Sequence, residues 1–196
     1  MKAFTLVALL SSALPLYGDT PLLRRTVATY TLLKQETKTP AAVNLFIKKY
    51  LRYIPDEAGE YTNYLGQKKQ VYNDYMYNPV DTYLRGGGDC EDYAALAVDW
   101  LRFHGHEAKI IACYHKNKKG GHALCVVKEN GNWSYIDNGG YRSKYQTIDK
   151  LVKDACEDVR RYCDIVPDST QLTGYKEINH VIVLRSGGSV TLFREK

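Results

Sequence analysis

The sequence predicts an α+β fold, with helices first and an antiparallel sheet after them. Three observations carry that expectation. Residues 41–53 hold an amphipathic helical pattern, and a second helical pattern opens abruptly after Gly86-Gly87-Gly88. From residue 109 onward, apolar runs of strand length alternate with turns rich in Gly and Asn. The length of 196 residues suits one domain with a short helical appendage, and no internal repeat or low-complexity tract divides it.

Residues 1–18 read as an export signal. Lys2 supplies the positive start, Ala3 to Leu10 is an apolar run, and small residues follow at Ser11, Ser12, Ala13 and Gly18. The run is too short and interrupted for stable membrane insertion, and the alternative is a buried N-terminal strand. Residues 19–76 form an N-terminal helical segment and 77–196 the core, together one compact domain. In the first part, Thr39-Pro40 reads as cap and first residue of the helix, which stops before Pro55. Asp56 to Pro79 shows no steady period and reads as loop with one short helix. Many of the 17 tyrosines lie between Tyr50 and Tyr93. Their amphipathic rings suggest a wet aromatic groove, the alternative being compositional bias.

The segment Arg85 to Gly105 is the most informative. Tyr93, Ala97, Trp100, Leu101 and His104 keep helical spacing, and Gly105 is suited to end the helix. Residues 109–114 and 122–128 read as a hairpin across a Lys-rich turn, and 132–137 as a third strand. A helix over 147–162 follows, then a hairpin of 178–185 and 189–194.

Lys and Arg number 27 against 22 Asp and Glu, a formal charge of +5. The basic residues are dispersed, densest at Lys116, Lys118 and Lys119, and no RNA-binding signature accompanies them, so nucleic acid is not the expected partner. The same three lysines could steer an acidic substrate. Five cysteines suit an exported chain: with Cys90 free, the remaining four can form two disulfides. Cys113–Cys125 with Cys156–Cys163 is the least strained pairing; the alternative is that all are reduced, with Cys113 and Cys125 as small core residues. No cysteine or histidine spacing resembles a zinc site.

Cys90 follows a glycine run and starts a helix, where unsatisfied N–H groups and the helix dipole favour thiolate. Its N–H could help to hold an oxyanion, and the glycines could let a substrate backbone approach. Asp89, Glu91 and Asp92 oppose the thiolate if they point inward. A cysteine at a helix start is by itself more often structural than catalytic. His122 opens a strand, and alternation sets it with Leu124 and Val126; Asp137 ends the next strand on the face of Trp133 and Tyr135. If the helix packs on that face, thiol, imidazole and carboxylate fall in line, with His122 as base and Asp137 as its orienting group. His104 and His106 flank a helix end and read as carbonyl caps, His115 sits in a turn, and His180 is the rival base.

The run Gly88-Asp89-Cys90-Glu91-Asp92-Tyr93-Ala94, the Gly-His122-Ala stretch and the Trp-x-Tyr-x-Asp137 stretch closely resemble the transglutaminase-like superfamily, in particular its bacterial cysteine proteinases. The spacings of 32 and 15 residues suit that family's order of helix Cys, then strand His and Asp, and the match spans residues 77–141. The resemblance implies a papain-like core with the nucleophile helix packed on an antiparallel sheet. It also implies Cys90 as nucleophile, His122 as general base and Asp137 as orienting acid. Adhesin-cleaving periplasmic members use carboxylates beside the nucleophile to bind calcium, and Asp89, Glu91 and Asp92 match that run, although calcium needs more oxygens than these three supply. No other cofactor is implied. The short chain and the lysines beside His122 depart from those members. The expectation is an exported peptidase, periplasmic or extracellular, acting on a protein or peptide through a thioester. The alternatives are a transglutaminase-type acyl transferase and a non-catalytic binding module on the same fold.

Overall fold

The computed structural model describes residues 24–71, 75–115, 121–138, 140–156 and 159–165. The expected export signal, the Lys-rich turn, His180 and the closing hairpin lie outside them.

The N-terminal part is built from α1 (Val27–Glu36), α2 (Pro40–Tyr50) and α3 (Pro79–Arg85), with α4 (Cys90–Phe103) at the centre. Thr39 caps α2 by accepting the Ala42 N–H, with Pro40 in the first turn, as the sequence predicts. Helix α1 was not expected; Thr26 caps it by accepting the Thr29 N–H at 3.1 Å. It is tied to α4 where Lys34 Nζ meets Asp99 at 2.7 Å and the Tyr30 hydroxyl donates to the same carboxylate. Arg25 locks the segment further, donating to the Tyr83 carbonyl at 3.0 Å and the Tyr50 carbonyl at 2.5 Å.

Between α2 and α3 the chain makes three short strands: β1 (Arg52–Tyr53), then an antiparallel pair β2 (Gly59–Thr62) and β3 (Lys68–Val71). The Tyr-rich stretch thus contains a hairpin as well as loop, and the helix beyond it starts at Pro79. Two residues of β4 (Gly87–Gly88) pair in parallel with β1, through Arg52 N–H to the Gly86 carbonyl and Ile54 N–H to the Gly88 carbonyl, each 2.9 Å. A Cβ on Gly87 would collide with the Arg52 carbonyl, and one on Gly88 with the Asp92 carboxylate. The glycine run therefore serves the protein's own close packing.

The sheet runs β8 (Tyr141–Tyr145), β7 (Asn132–Ile136), β6 (Gly121–Glu129), β5 (Ala108–His115), β9 (Val159–Ile165), antiparallel throughout. It carries a helix on each face. Helix α4, with Ala95, Leu96, Ala97, Val98, Trp100 and Leu101 fully buried, packs on Ala108, Ile110, Ala123, Cys125 and Val127. Helix α5 (Ile148–Ala155) covers the other face, where Leu151 and Val152 meet Ile111, Leu124, Val126 and Tyr135. This corrects the expected packing: α4 lies on the alternate residues to Leu124 and Val126. Both alternate sets of β6 are apolar because both faces are covered, so alternation alone could not choose between them.

The helix expected over 147–162 ends at Ala155, and the chain then returns as edge strand β9, pairing Ala112 with Cys163 and Ile110 with Ile165. Long-range pairing overrides the local helical pattern there. The disulfide is also reassigned. Cys113 bonds Cys156, Cα atoms 6.0 Å apart, and Cys125 is a free, fully buried thiol in the α4 core. Cys113 and Cys125 face opposite sides of the sheet, which forbids their pairing.

Peptide mapping without reduction should recover Cys113 linked to Cys156, with Cys125 unmodified. Cys113→Ser should lower stability by about 4 kcal/mol, from the loop closed across a separation of 43 residues. A thermal melt unmoved by reducing agent would contradict the tie.

Candidate active site

Cys90 is the first residue of α4, half-buried, at the convergence of β4, α4 and the start of β6. The helix start is fixed by Asp92, which is fully buried. One of its oxygens accepts the Tyr77 N–H at 2.6 Å and the other the Asp89 N–H at 3.3 Å. Asp92 thus acts as the reciprocal cap of its own helix and as the anchor of the loop before α3. Glu91 turns inward, 5 % exposed, and its Oε2 accepts the Cys90 S–H at 2.9 Å, while Oε1 has no hydrogen-bond partner among the described residues.

A fourth carboxylate joins from the Tyr-rich loop. Asp56 accepts the Tyr75 N–H, and its charge acts on both Glu91 and Asp92. Sequence reasoning missed it, since nothing in an aperiodic stretch marks one aspartate, although its place after Pro55 predicts a turn.

These groups set the thiol's resting state. Burial, then the Glu91 charge and the hydrogen bond to Glu91, push Cys90 far above the ordinary thiol range; the Ala123 N–H, which contacts the sulfur, works the other way. Burial likewise raises Glu91 and Asp92, with Asp89 and Asp56 adding repulsion on Asp92. Around them, burial pushes Tyr53, Tyr77 and Tyr93 each up to about 12, and the charges of Cys90, Asp89 and Glu91 add to the effect on Tyr53. The Arg85 guanidinium lies 3.6 Å above the Tyr77 ring. In the Tyr-rich stretch Tyr50 and Tyr53 are exposed, whereas Tyr75, Tyr77, Tyr83 and Tyr93 are buried.

On the sheet, β6 pairs with β7 so that Cys125 opposes Ile136. That is the last pair of the ladder among the described residues, and Asp137 follows directly, its N–H donating to the Gly140 carbonyl at 3.0 Å. The Asp137 carboxylate accepts the Gly140 N–H at 2.7 Å, which holds the turn after β7. His122 is half-buried and opposes Cys113 across β5. The thiol reaches the same strand end from the α4 side, through the amide of Ala123, the next residue in the chain. His104 and His106 bind the Lys34 and Lys38 carbonyls at 2.7 and 3.0 Å, so they do meet carbonyls, but of the α1 segment rather than of their own helix. His115 ends β5 instead of lying in a turn.

A family model described as the transglutaminase-like superfamily matches residues 25–138, more than half of the chain. The chain belongs to the transglutaminase-like superfamily. The match reaches well upstream of the three motifs, so α1, α2 and the Tyr-rich loop are part of this superfamily's unit. Solved structures of Legionella pneumophila LapG are similar to it. The calcium-bound form is 19% identical, covering 67% of this chain and 69% of that one with a TM-score of 0.46. The EGTA-treated form is 19% identical, covering 67% of each chain with a TM-score of 0.45. No curated protein matches. Among the described residues, no helix of this superfamily member is long and apolar enough to cross a membrane.

The raised carboxylates give a pH dependence of definite sign. Asp81 is pushed up to about 6 by burial, and Glu91 and Asp92 are raised too, whereas unfolded carboxylates titrate near 4. The native state therefore binds more protons than the unfolded chain between about pH 4 and 6, so stability falls as pH rises through that window. In chelator, melting temperature should increase from pH 7 to pH 5; a decrease would show that the acidic cluster is already neutralised.

Proposed function

We propose that this chain is an exported thiol peptidase that cleaves a peptide or related amide bond with Cys90, His122 and Asp137. The observation that carries the reading is the thiol of Cys90 at the start of a buried helix, in contact with the amide next to His122. In this reading the His122 imidazole reaches the sulfur, and Asp137, the residue after β7, orients the ring.

In this scheme His122 takes the thiol proton as sulfur attacks the acyl carbon. The carbonyl pair moves to oxygen, where the Cys90 N–H can receive it, since the first amides of a helix lack intrahelical acceptors. His122 then protonates the departing amine, leaving a thioester. Water adds to the thioester with His122 as base, releasing the acid and restoring the thiol. Hydrolysis rather than acyl transfer is the assignment made. Export is supported by the N-terminal pattern and by the Cys113–Cys156 bond, which suits an oxidising compartment.

The acidic cluster fits a calcium ion in part. Buried Glu91 Oε1 is an oxygen without a partner among the described residues, and the ligand atoms of Asp89, Cys90 and Glu91 lie within 4.8 Å of one another. Asp89 and Glu91 would hold the ion, with Asp56 close enough to contribute charge. Asp92 spends both oxygens on backbone amides and is assigned to the helix cap. A bound cation would supply positive charge where the thiol now faces carboxylates. It would draw Glu91 away from the thiol and leave the Cys90 proton to His122.

Intact-mass spectrometry with iodoacetamide at pH 5.5 tests the reading. Calcium-loaded protein should take one label within minutes, lost in Cys90→Ala, and EGTA should slow labelling tenfold or more. His122→Ala should reduce both labelling and turnover, turnover by about a thousandfold. An accessible Cys90 that stays unlabelled with calcium present would overturn the assignment.

A further inference from the structure

Three tyrosines sense the charges around Cys90, and they differ in one respect. Tyr77 and Tyr93 are buried at 5 % exposure each, whereas Tyr53 is 57 % exposed. Its backbone is nevertheless fixed. Tyr53 lies opposite Gly88 in the parallel β1–β4 pair, with hydrogen bonds on either side from Arg52 and Ile54. Gly88 is two residues before Cys90, so the ladder sets an exposed phenol beside the start of α4. After burial, Cys90 is the neighbour that bears most on its hydroxyl.

We propose that Tyr53 is a catalytic residue whose hydroxyl donates a hydrogen bond to the acyl oxygen of the substrate, as the second oxyanion donor beside the Cys90 N–H. The proposal rests on the peptidase reading above. As sulfur bonds to the acyl carbon, the carbonyl pair moves onto oxygen and the phenol O–H strengthens its bond to it without transferring the proton. When the carbonyl re-forms and the amine departs with the proton from His122, that bond relaxes. A donor is useful there because it meets charge that exists only in the transition state.

The test compares two reactions of Cys90 in the calcium-loaded full chain. Acylation by p-nitrophenyl acetate builds an oxyanion, and alkylation by iodoacetamide does not. Tyr53→Phe should slow acylation by tenfold to a hundredfold through kcat, with KM within twofold, and leave alkylation within twofold of wild type. Unchanged acylation in Tyr53→Phe would overturn the proposal. Equal loss in both reactions would overturn it too, by showing that Tyr53 acts on the thiol itself. Wild-type protein inert to both reagents at Cys90 would overturn the peptidase reading and this one with it. The ring is exposed and Phe keeps its shape, so far-UV circular dichroism should be the same for both proteins.

Discussion

The carboxylate of Asp92 is buried completely and yet is held by two backbone amides, those of Tyr77 and Asp89. Through the first it clamps the loop that leads into α3, and through the second it closes the turn that begins α4. Gly88 can have no side chain because this carboxylate occupies the space. The start of α4, and with it Cys90, is therefore anchored to the loop before α3. A buried acid without such partners would cost several kcal/mol, so the amides are a condition of its being there.

The second constraint is electrostatic. A helix N-terminus favours thiolate, but burial and the carboxylates of Glu91 and Asp89 outweigh it at Cys90. A dipole at the end of a helix amounts to about half a charge, whereas Glu91 brings a whole one to within hydrogen-bond distance. Cys90 is thus held protonated by burial and by the acids beside it, and whatever neutralised Glu91 would lower its pKa.

Much of this was legible in the sequence. The glycine run followed by a helical period placed Cys90 at a helix start, and apolar runs bounded by turns placed β5, β6 and β7 to within a residue or two. The superfamily followed from three short motifs. What could not be read was which helix covers which face, because β6 alternates Ala123, Cys125 and Val127 with Leu124 and Val126, apolar on both sides. The disulfide was misassigned for the same reason, since the face of a cysteine decides its partner. Asp56 comes near Glu91 and Asp92 through loop packing, and Tyr53 opposite Gly88 through β1–β4 pairing, contacts with no local signature. The first residues of β9 were read as helix because its pairing with β5 lies some 50 residues back along the chain.

The two faces of the sheet consequently divide the work. The α4 face delivers the thiol to the amide of Ala123, while the alternation of β6 and β7 sets His122 and Asp137 on the side covered by α5. A slip of one residue in β6 would exchange the two faces. Cys113 opposes His122 in the register, and its bond to Cys156 ties α5 to that very position of the sheet. The covalent link therefore stabilises more than the fold. It restrains β5, and with it the part of β6 that carries His122.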